Sequence, residues 1–318
     1  NFEEGKAYFC RECGYEAPKW MGRCPACGEW NTMVEETVAT GKKTSVADRV
    51  PGAGQKPLPL SEIDSSVENR ISLNNDEVDR ILGGGLVEGS LVLIGGEPGI
   101  GKSTLSLQIP LNCPNLKTLY VTGEESARQV KLRASRIGGD DANCLIYSET
   151  LMENIIAEAK SIMPDLMVVD SVQTMFSQNV ESSPGSVTQI KETAAMLLRF
   201  AKETGVPVIL IGHITKEGSI AGPKILEHIV DVVLQFEGDG NNIYRILRGI
   251  KNRFGATFEI GVFEMLDNGL RAVENPSEIL LSHYEEPLSG IAIGASVDGI
   301  RPYLIEVQAL VTGAAYGT

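Results

Sequence analysis

The 318-residue sequence contains no apolar run approaching the ~18 residues that a membrane-spanning helix needs. Its opening stretch, Asn1 to Cys10, is polar and carries acids, so it does not read as a signal peptide. Asn1 is not an initiator Met, which points to a trimmed chain or a fragment. Basic residues are scarce: 28 Lys and Arg stand against 42 Asp and Glu, a formal net charge of −14. A chain that holds nucleic acid through its overall field carries the opposite sign. Contact with DNA must therefore come from local basic clusters gathered by assembly of several subunits. Nor are the six cysteines spread as a disulfide framework, since four lie between Cys10 and Cys27 and Cys113 and Cys144 stand alone. That is metal arithmetic; it fits a reducing cytosol and a cytoplasmic location. Internal repeats are absent, and 42% apolar against 22% charged residues excludes disorder throughout.

Glycine is in excess: 34 residues, against an average share of roughly 7%. The excess suggests phosphate loops and tight turns. Residues 1–31 read as a compact knuckle, and 32–59, with scattered charges and no apolar period, read as a linker. From Leu60 to residue 273, apolar runs alternate with helical patterns. Leu91–Ile94, Thr118–Val121, Leu166–Val169 and Val208–Ile211 are short and largely β-branched, as strands buried on both faces of a parallel sheet are. Helices are expected over Glu125–Arg136, Leu151–Met163 and Ser186–Thr204. The alternation implies an α/β fold with a doubly wound, mostly parallel sheet. After Asp231 the pattern shifts to strands at Val232–Phe236, Ile243–Leu247 and Phe258–Met265. Gly290–Val297 and Tyr303–Val311 alternate around Asp298-Gly299, a hairpin signal. A lone hairpin is marginal in water, so further structure is expected to pack on it.

Gly96-Glu97-Pro98-Gly99-Ile100-Gly101-Lys102-Ser103, followed by Thr104, matches the P-loop pattern between a strand and a helix. The glycines let successive backbone N–H groups face phosphate oxygens at a helix N-terminus. Lys102 would neutralise the β- and γ-phosphates of ATP, and the Ser103 hydroxyl would ligate Mg²⁺. Pro110 should end this helix early. Asp170 follows the apolar strand Leu166–Val169, where an acid can hold the same Mg²⁺ through water. Glu124 and Glu125 follow Thr118–Thr122, a strand expected to neighbour the P-loop strand. Either could orient a water for attack, with Glu124 preferred because Glu125 is better placed to begin the next helix. His213 closes Val208–Ile211 and could sense the γ-phosphate.

Cys10-x-x-Cys13 and Cys24-x-x-Cys27 direct four thiolates at one point, with Gly14 and Gly28 permitting the tight turns. Four ligands with no open position argue for a structural Zn²⁺, which a module this small needs in order to fold. Two acid-free basic runs remain. Arg128, Lys131, Arg133 and Arg136 lie on a helix, where a solvated face with ion pairs is the ordinary reading. Arg245, Arg248, Lys251 and Arg253 run into Lys251-Asn252-Arg253-Phe254-Gly255, expected as a loop between strands. There Lys251 and Arg253 could project onto a neighbouring subunit's nucleotide or onto a DNA backbone.

Taken together these motifs resemble the bacterial RadA family (also called Sms) of RecA-like DNA repair and recombination ATPases. The carriers are the Cys10–Cys27 knuckle, Leu82-Gly83-Gly84-Gly85-Leu86, the P-loop and Gly123-Glu124-Glu125-Ser126. Asp170-Ser171-Val172-Gln173-Thr174, Pro184-Gly185-Ser186-Val187 and above all the Lys251–Gly255 pentapeptide complete the set. The resemblance implies a RecA-like P-loop core and a DnaB-like hexameric ring that runs along single-stranded DNA and extends recombination by branch migration. A RecA-type recombinase is the implied partner. Lys102 and Ser103 would serve nucleotide, Glu124 water activation, and Lys251 and Arg253 the coupling of ATP to DNA. Gln173–Ser186 and Thr215–Pro223 lie where RecA-like proteins place their DNA loops, although neither is notably basic. The family continues into a Lon-protease-like domain, of which residues 274–318 would be the beginning, and no proteolysis is expected of that piece. Two rival readings use the same motifs: a nucleoside-kinase-like phosphotransferase with a structural zinc site, and a non-enzymatic adaptor whose shape nucleotide sets.

Overall fold

The computed structural model describes residues 4–39, 59, 69–139, 141–213, 223–238, 243–257, 259–277, 281, 289–298 and 301–309. At the N-terminus, β1 (Glu4–Cys10), β2 (Glu16–Ala17) and β3 (Met33–Ala39) make a small antiparallel sheet in the order β2-β1-β3. The core follows with β4 (Arg70–Ile71), α1 (Asp76–Leu82), β5 (Leu86–Val87), β6 (Leu91–Gly96) and α2 (Lys102–Asn112). Next come β7 (Thr118–Thr122), α3 (Ala127–Ile137), β8 (Cys144–Ser148), α4 (Met152–Ile162) and β9 (Leu166–Asp170). Then α5 (Val187–Thr204), β10 (Val208–His213), α6 (Pro223–Leu226), β11 (Val232–Glu237) and β12 (Tyr244–Asn252). The chain continues through β13 (Ile260–Leu266), β14 (Gly269–Ala272), β15 (Ile291–Asp298) and β16 (Arg301–Gln308).

One nine-stranded sheet organises the core in the order β14-β13-β12-β11-β6-β10-β9-β7-β8. From β11 to β8 neighbouring strands are parallel, and β12, β13 and β14 extend it by antiparallel pairing. The uninterrupted apolar strands follow from burial on both faces. Side chains alternate across the pleat, so Val92, Ile94, Tyr120, Val168 and Ile209 join one core with α1, α2 and α3. Leu91, Leu93, Leu119, Met167 and Leu210 join a second core with α4 and α5. Helices on both faces make this the doubly wound sheet expected from the alternation.

Local chemistry sets the helix ends. Ser126 caps α3 through a reciprocal box with Gln129, so that helix starts after Glu125 rather than at it. Ser186 accepts from the Gln189 N–H to start α5, and Gly205 in the left-handed region ends it. Helix α2 runs on through Pro110 for two residues. The proline falls in the last turn, where stopping the ladder costs little. A second correction concerns strand order: β7 does not neighbour β6, because β10 and β9 lie between them. The hairpin of β15 and β16 is present with Asp298 opposite Arg301, while its turn lies outside the described residues. So do most of the linker and the segment Thr215–Gly222.

Candidate nucleotide site and metal centre

Parallel strands deliver their C-terminal ends to one edge of the sheet, and that edge collects the charged groups. Beyond β6 the loop reaches Gly101, which starts α2 with no side-chain cap, leaving the first-turn N–H groups open to an anion. The Lys102 side chain is buried and curls back over the loop, Nζ donating to the Gly96 and Glu97 carbonyls at 2.8 Å each. Burial pulls its ammonium down to about 8, against the attraction of Asp170, Glu124 and Glu97. A cavity of about 330 Å³ is lined by Gly99, Gly101, Lys102, Ser103, Thr104, His213, Arg245 and Met265.

Asp170 ends β9 two strands from β6. Its Oδ2 accepts from the Tyr120 hydroxyl at 2.8 Å, and its Oδ1 is buried with no hydrogen-bond partner among the described residues. Burial and then the Asp170 charge drive the Tyr120 phenol well above its ordinary value, so it remains a donor. An orphaned buried carboxylate oxygen and the hydroxyl of a P-loop serine, both brought to this edge of the sheet, are a donor set suited to Mg²⁺ and its waters. The residues fit the ion.

Glu124 reaches this edge although β7 is distant in strand order. A Cβ at Gly123 would sit 2.2 Å from Thr174 Oγ1, so only glycine lets the end of β7 approach the chain that leaves β9. The Ser171 hydroxyl donates to Glu124 Oε1 at 2.5 Å, and His213 Nε2 lies 3.1 Å from the same oxygen. Burial would raise the Glu124 carboxyl, but Ser171, His213 and Lys102 outweigh it and hold the group below its usual value. It is an anion at neutral pH, aimed by a hydroxyl and an imidazole. Glu125 instead pairs with Arg133 on α3.

The sheet separates the four basic residues that the sequence groups together. Strand β11 runs parallel to β6, and β12 runs antiparallel to β11 with Asn252 opposite Val232. Arg245 therefore lies at the P-loop edge, where its Nε donates to the Ile100 carbonyl at 3.2 Å. Lys251 and Arg253 lie at the opposite edge, roughly 20 Å along the strand. Lys251 Nζ donates to the Glu227 and Val230 carbonyls, and Arg253, about half exposed, pairs with buried Asp231 at 3.1 Å. Lys251 and Asn252 belong to β12, so the expected loop begins only at Arg253. The bend packs on the glycine run, with Arg70 donating to both the Leu82 and Phe254 carbonyls. Tyr120, Ser171 and Arg245 join the site only through the fold, since no motif of the sequence singles them out for a role there.

In the N-terminal module the four thiol sulfurs of Cys10, Cys13, Cys24 and Cys27 lie within 4.8 Å of one another. The pairs Cys10/Cys27 and Cys13/Cys24 are 3.6 and 3.5 Å apart, close to the ~3.8 Å edge of a tetrahedron with 2.3 Å zinc–sulfur bonds. Burial raises the Cys24 thiol, but backbone N–H groups of Cys27 and Ala26 reverse this and bring it to about 7. Zn²⁺ suits this set.

Comparison with known proteins gives family matches over both parts of the chain. Residues 57–219 match a family described as an AAA domain, and residues 8–35 one described as a rubredoxin metal binding domain. Over 314 residues the chain is 49% identical to the DNA repair protein RadA of Bacillus subtilis, covering 98% of this chain and 69% of that protein. The chain belongs to the RadA family. It is also 48% identical to DNA repair protein RadA of Pseudomonas aeruginosa over 96% of this chain and 68% of that one. A crystal structure of the RadB recombinase superposes with a TM-score of 0.51 at 22% identity, over 64% of this chain and 99% of its own. A KaiC-like protein of Pyrococcus horikoshii gives 0.53 at 22%, over 65% and 100%. At that identity the likeness establishes the RecA-like fold alone. ATP with Mg²⁺ and a structural Zn²⁺ are the cofactors of this RadA-family chain. Among the described residues no helix is long and apolar enough to cross a membrane.

Proposed function

We propose that this chain hydrolyses ATP in DNA repair and recombination, as a ring-forming motor that runs on single-stranded DNA and promotes branch migration. The observation that carries the reading is the division of charges between the two edges of one sheet. Lys102, Ser103, Asp170, Glu124 and His213 meet at the C-terminal edge, whereas Lys251 and Arg253 stand at the other. Cations placed there cannot reach their own nucleotide; exchanging their contacts with the Glu227 and Val230 carbonyls and with Asp231 for a neighbour's phosphates would let them serve the next subunit. A trans cation of this kind is worth roughly 10³–10⁵ in rate.

Within the site Lys102 holds the β- and γ-phosphates; Ser103 would ligate Mg²⁺ and Asp170 would hold it through water, and the ion would neutralise phosphate charge. Glu124 orients the attacking water and accepts its proton, its carboxylate fixed by Ser171 and His213. Both segments assigned to DNA start from these two residues. Gln173 Nε2 donates to the His213 carbonyl at 3.2 Å, and Gln189 ties the same loop down through the Ser177, Val180 and Ser182 carbonyls. The second segment, from Thr215, begins two residues after His213. Loss of the γ-phosphate at Glu124 is thus felt at the root of each.

ATP turnover with and without single-stranded DNA tests the proposal. Turnover should rise with DNA, vanish in Lys102→Ala, and lose its DNA response in Arg253→Ala while nucleotide binding persists. Turnover indifferent to DNA, or phosphorylated nucleoside as the product, would overturn it.

A further inference from the structure

The chain has two tryptophans, and both stand exposed on the zinc module: Trp20 at 56% and Trp30 at 68%. Large indoles are seldom left in water on a module whose own core is a handful of side chains around Cys10, Ala17, Cys24 and Met33. They are not scattered. A Cβ built on Gly22 would lie 3.6 Å from the Trp20 ring and 3.8 Å from the Trp30 ring, so the glycine leaves a slot open beside both. Arg23 lies over Trp30 with Cζ 5.8 Å from the ring centroid, and its Nε is fastened to the Gly28 carbonyl at 2.7 Å. Lys19 is exposed beside Trp20. From Pro18 to Trp30 the sequence holds one acid, Glu29.

The module is docked on the core. Lys191 of α5 donates to the Gly14 carbonyl at 2.7 Å, and Ala7 and Phe9 pack with Val187 and Ile225. Val187 opens α5 directly after the segment Gln173–Ser186, and Ile225 lies just beyond Pro223, where the second DNA segment ends. The first knuckle thus faces the core where both segments return to it, while the second knuckle presents the indoles.

We infer that Trp20 and Trp30, with Gly22 open between them and Lys19 and Arg23 alongside, form a stacking platform for unpaired bases of single-stranded DNA. Two aromatic faces with flanking cations suit a polyanion whose bases are free to stack, and they accept any sequence because every base has a π-face. The inference rests on single-stranded DNA being the track of the motor, and it adds a contact outside the ring of loops.

Because the chain has no other tryptophan, indole emission reports on this patch alone. The experiment titrates the zinc-loaded chain with an unlabelled oligothymidylate while following emission, and in parallel follows anisotropy of the same oligonucleotide carrying a dye. Emission should be quenched along the same isotherm as the anisotropy rise. Trp20→Ala and Trp30→Ala should each weaken binding at least about fivefold, the low end of the stacking of one base. Gly22→Val, which fills the slot and keeps both rings, should abolish quenching while zinc content stays at one ion per chain. An anisotropy rise with unchanged emission and wild-type affinity in all three variants would overturn the platform and leave the motor reading intact. No anisotropy change at any concentration would remove both. Quenching by an added protein but not by DNA would assign the patch to a protein partner and overturn the inference.

Discussion

Affinity for ATP should fall steeply with alkaline pH, because the lysine that meets the phosphates is buried before they arrive. Lys102 is almost wholly enclosed, its Nζ is held by two carbonyls at 2.8 Å, and burial sets its ammonium near 8. Phosphate oxygens arriving at Nζ raise that value, so binding takes up a proton wherever the free lysine is neutral. Affinity is therefore full below about 8 and lost above it. From about pH 7.5 to about 9.5 the protonated fraction falls from about three quarters to about 3%. That predicts a roughly 25-fold loss of affinity in a window where the charge of the triphosphate itself no longer changes. Calorimetry with a non-hydrolysable ATP analogue and excess Mg²⁺ across this window measures it. Lys102→Met should bind weakly with no such slope. A flat profile in the unaltered protein would refute the claim that Lys102 is partly desolvated in the resting site.

Tyr120→Phe removes the donor to Asp170 Oδ2 and leaves both oxygens of a buried carboxylate without a partner. Stability should drop by about 1–3 kcal/mol in a denaturant titration, and an unchanged midpoint would show that the hydrogen bond contributes nothing. Ser171→Ala releases one of the two groups that aim Glu124. The turnover number should fall about tenfold while the Michaelis constant for ATP barely moves, whereas a rise in the Michaelis constant alone would place Ser171 in binding instead. Cys24→Ser should lower zinc below one ion per chain by metal analysis and unfold the N-terminal module. Binding of the ATP analogue should stay within about twofold, because the nucleotide cavity contains no residue of that module. Loss of nucleotide binding would show that the module holds the core together.

The motifs with obligatory spacing were legible in the sequence because their chemistry leaves few alternatives. Gly96–Ser103 and the paired CxxC knuckles each need fixed residues at fixed offsets, and the four strand runs must be apolar throughout because both faces are covered. Strand order was not legible. Periodicity reports burial, so it cannot say that β10 and β9 separate β7, which carries Glu124, from the P-loop strand β6. Ser171 and Arg245 are common residue types whose importance comes only from where the sheet puts them. Tyr120 did carry a signal: a phenol in the middle of Leu119-Tyr120-Val121 must find a buried acceptor, and an acid ending another strand of the sheet is the natural one. The basic run from Arg245 to Arg253 looked like one cluster because sequence distance hides direction. A nine-residue strand carries its two ends to opposite edges.

Mixing two variants that each lack DNA-stimulated turnover tests most directly whether each nucleotide site is built by one chain and finished by the next. Lys102→Ala subunits retain Arg253, and Arg253→Ala subunits retain a whole P-loop edge. If they co-assemble at random in equal amounts, about a quarter of the interfaces pair an intact P-loop with an intact Arg253. DNA-stimulated ATP turnover of the mixture should then rise clearly above the sum of the two preparations measured apart. A mixture that stays at that sum, with co-assembly verified by mass, would contradict the account.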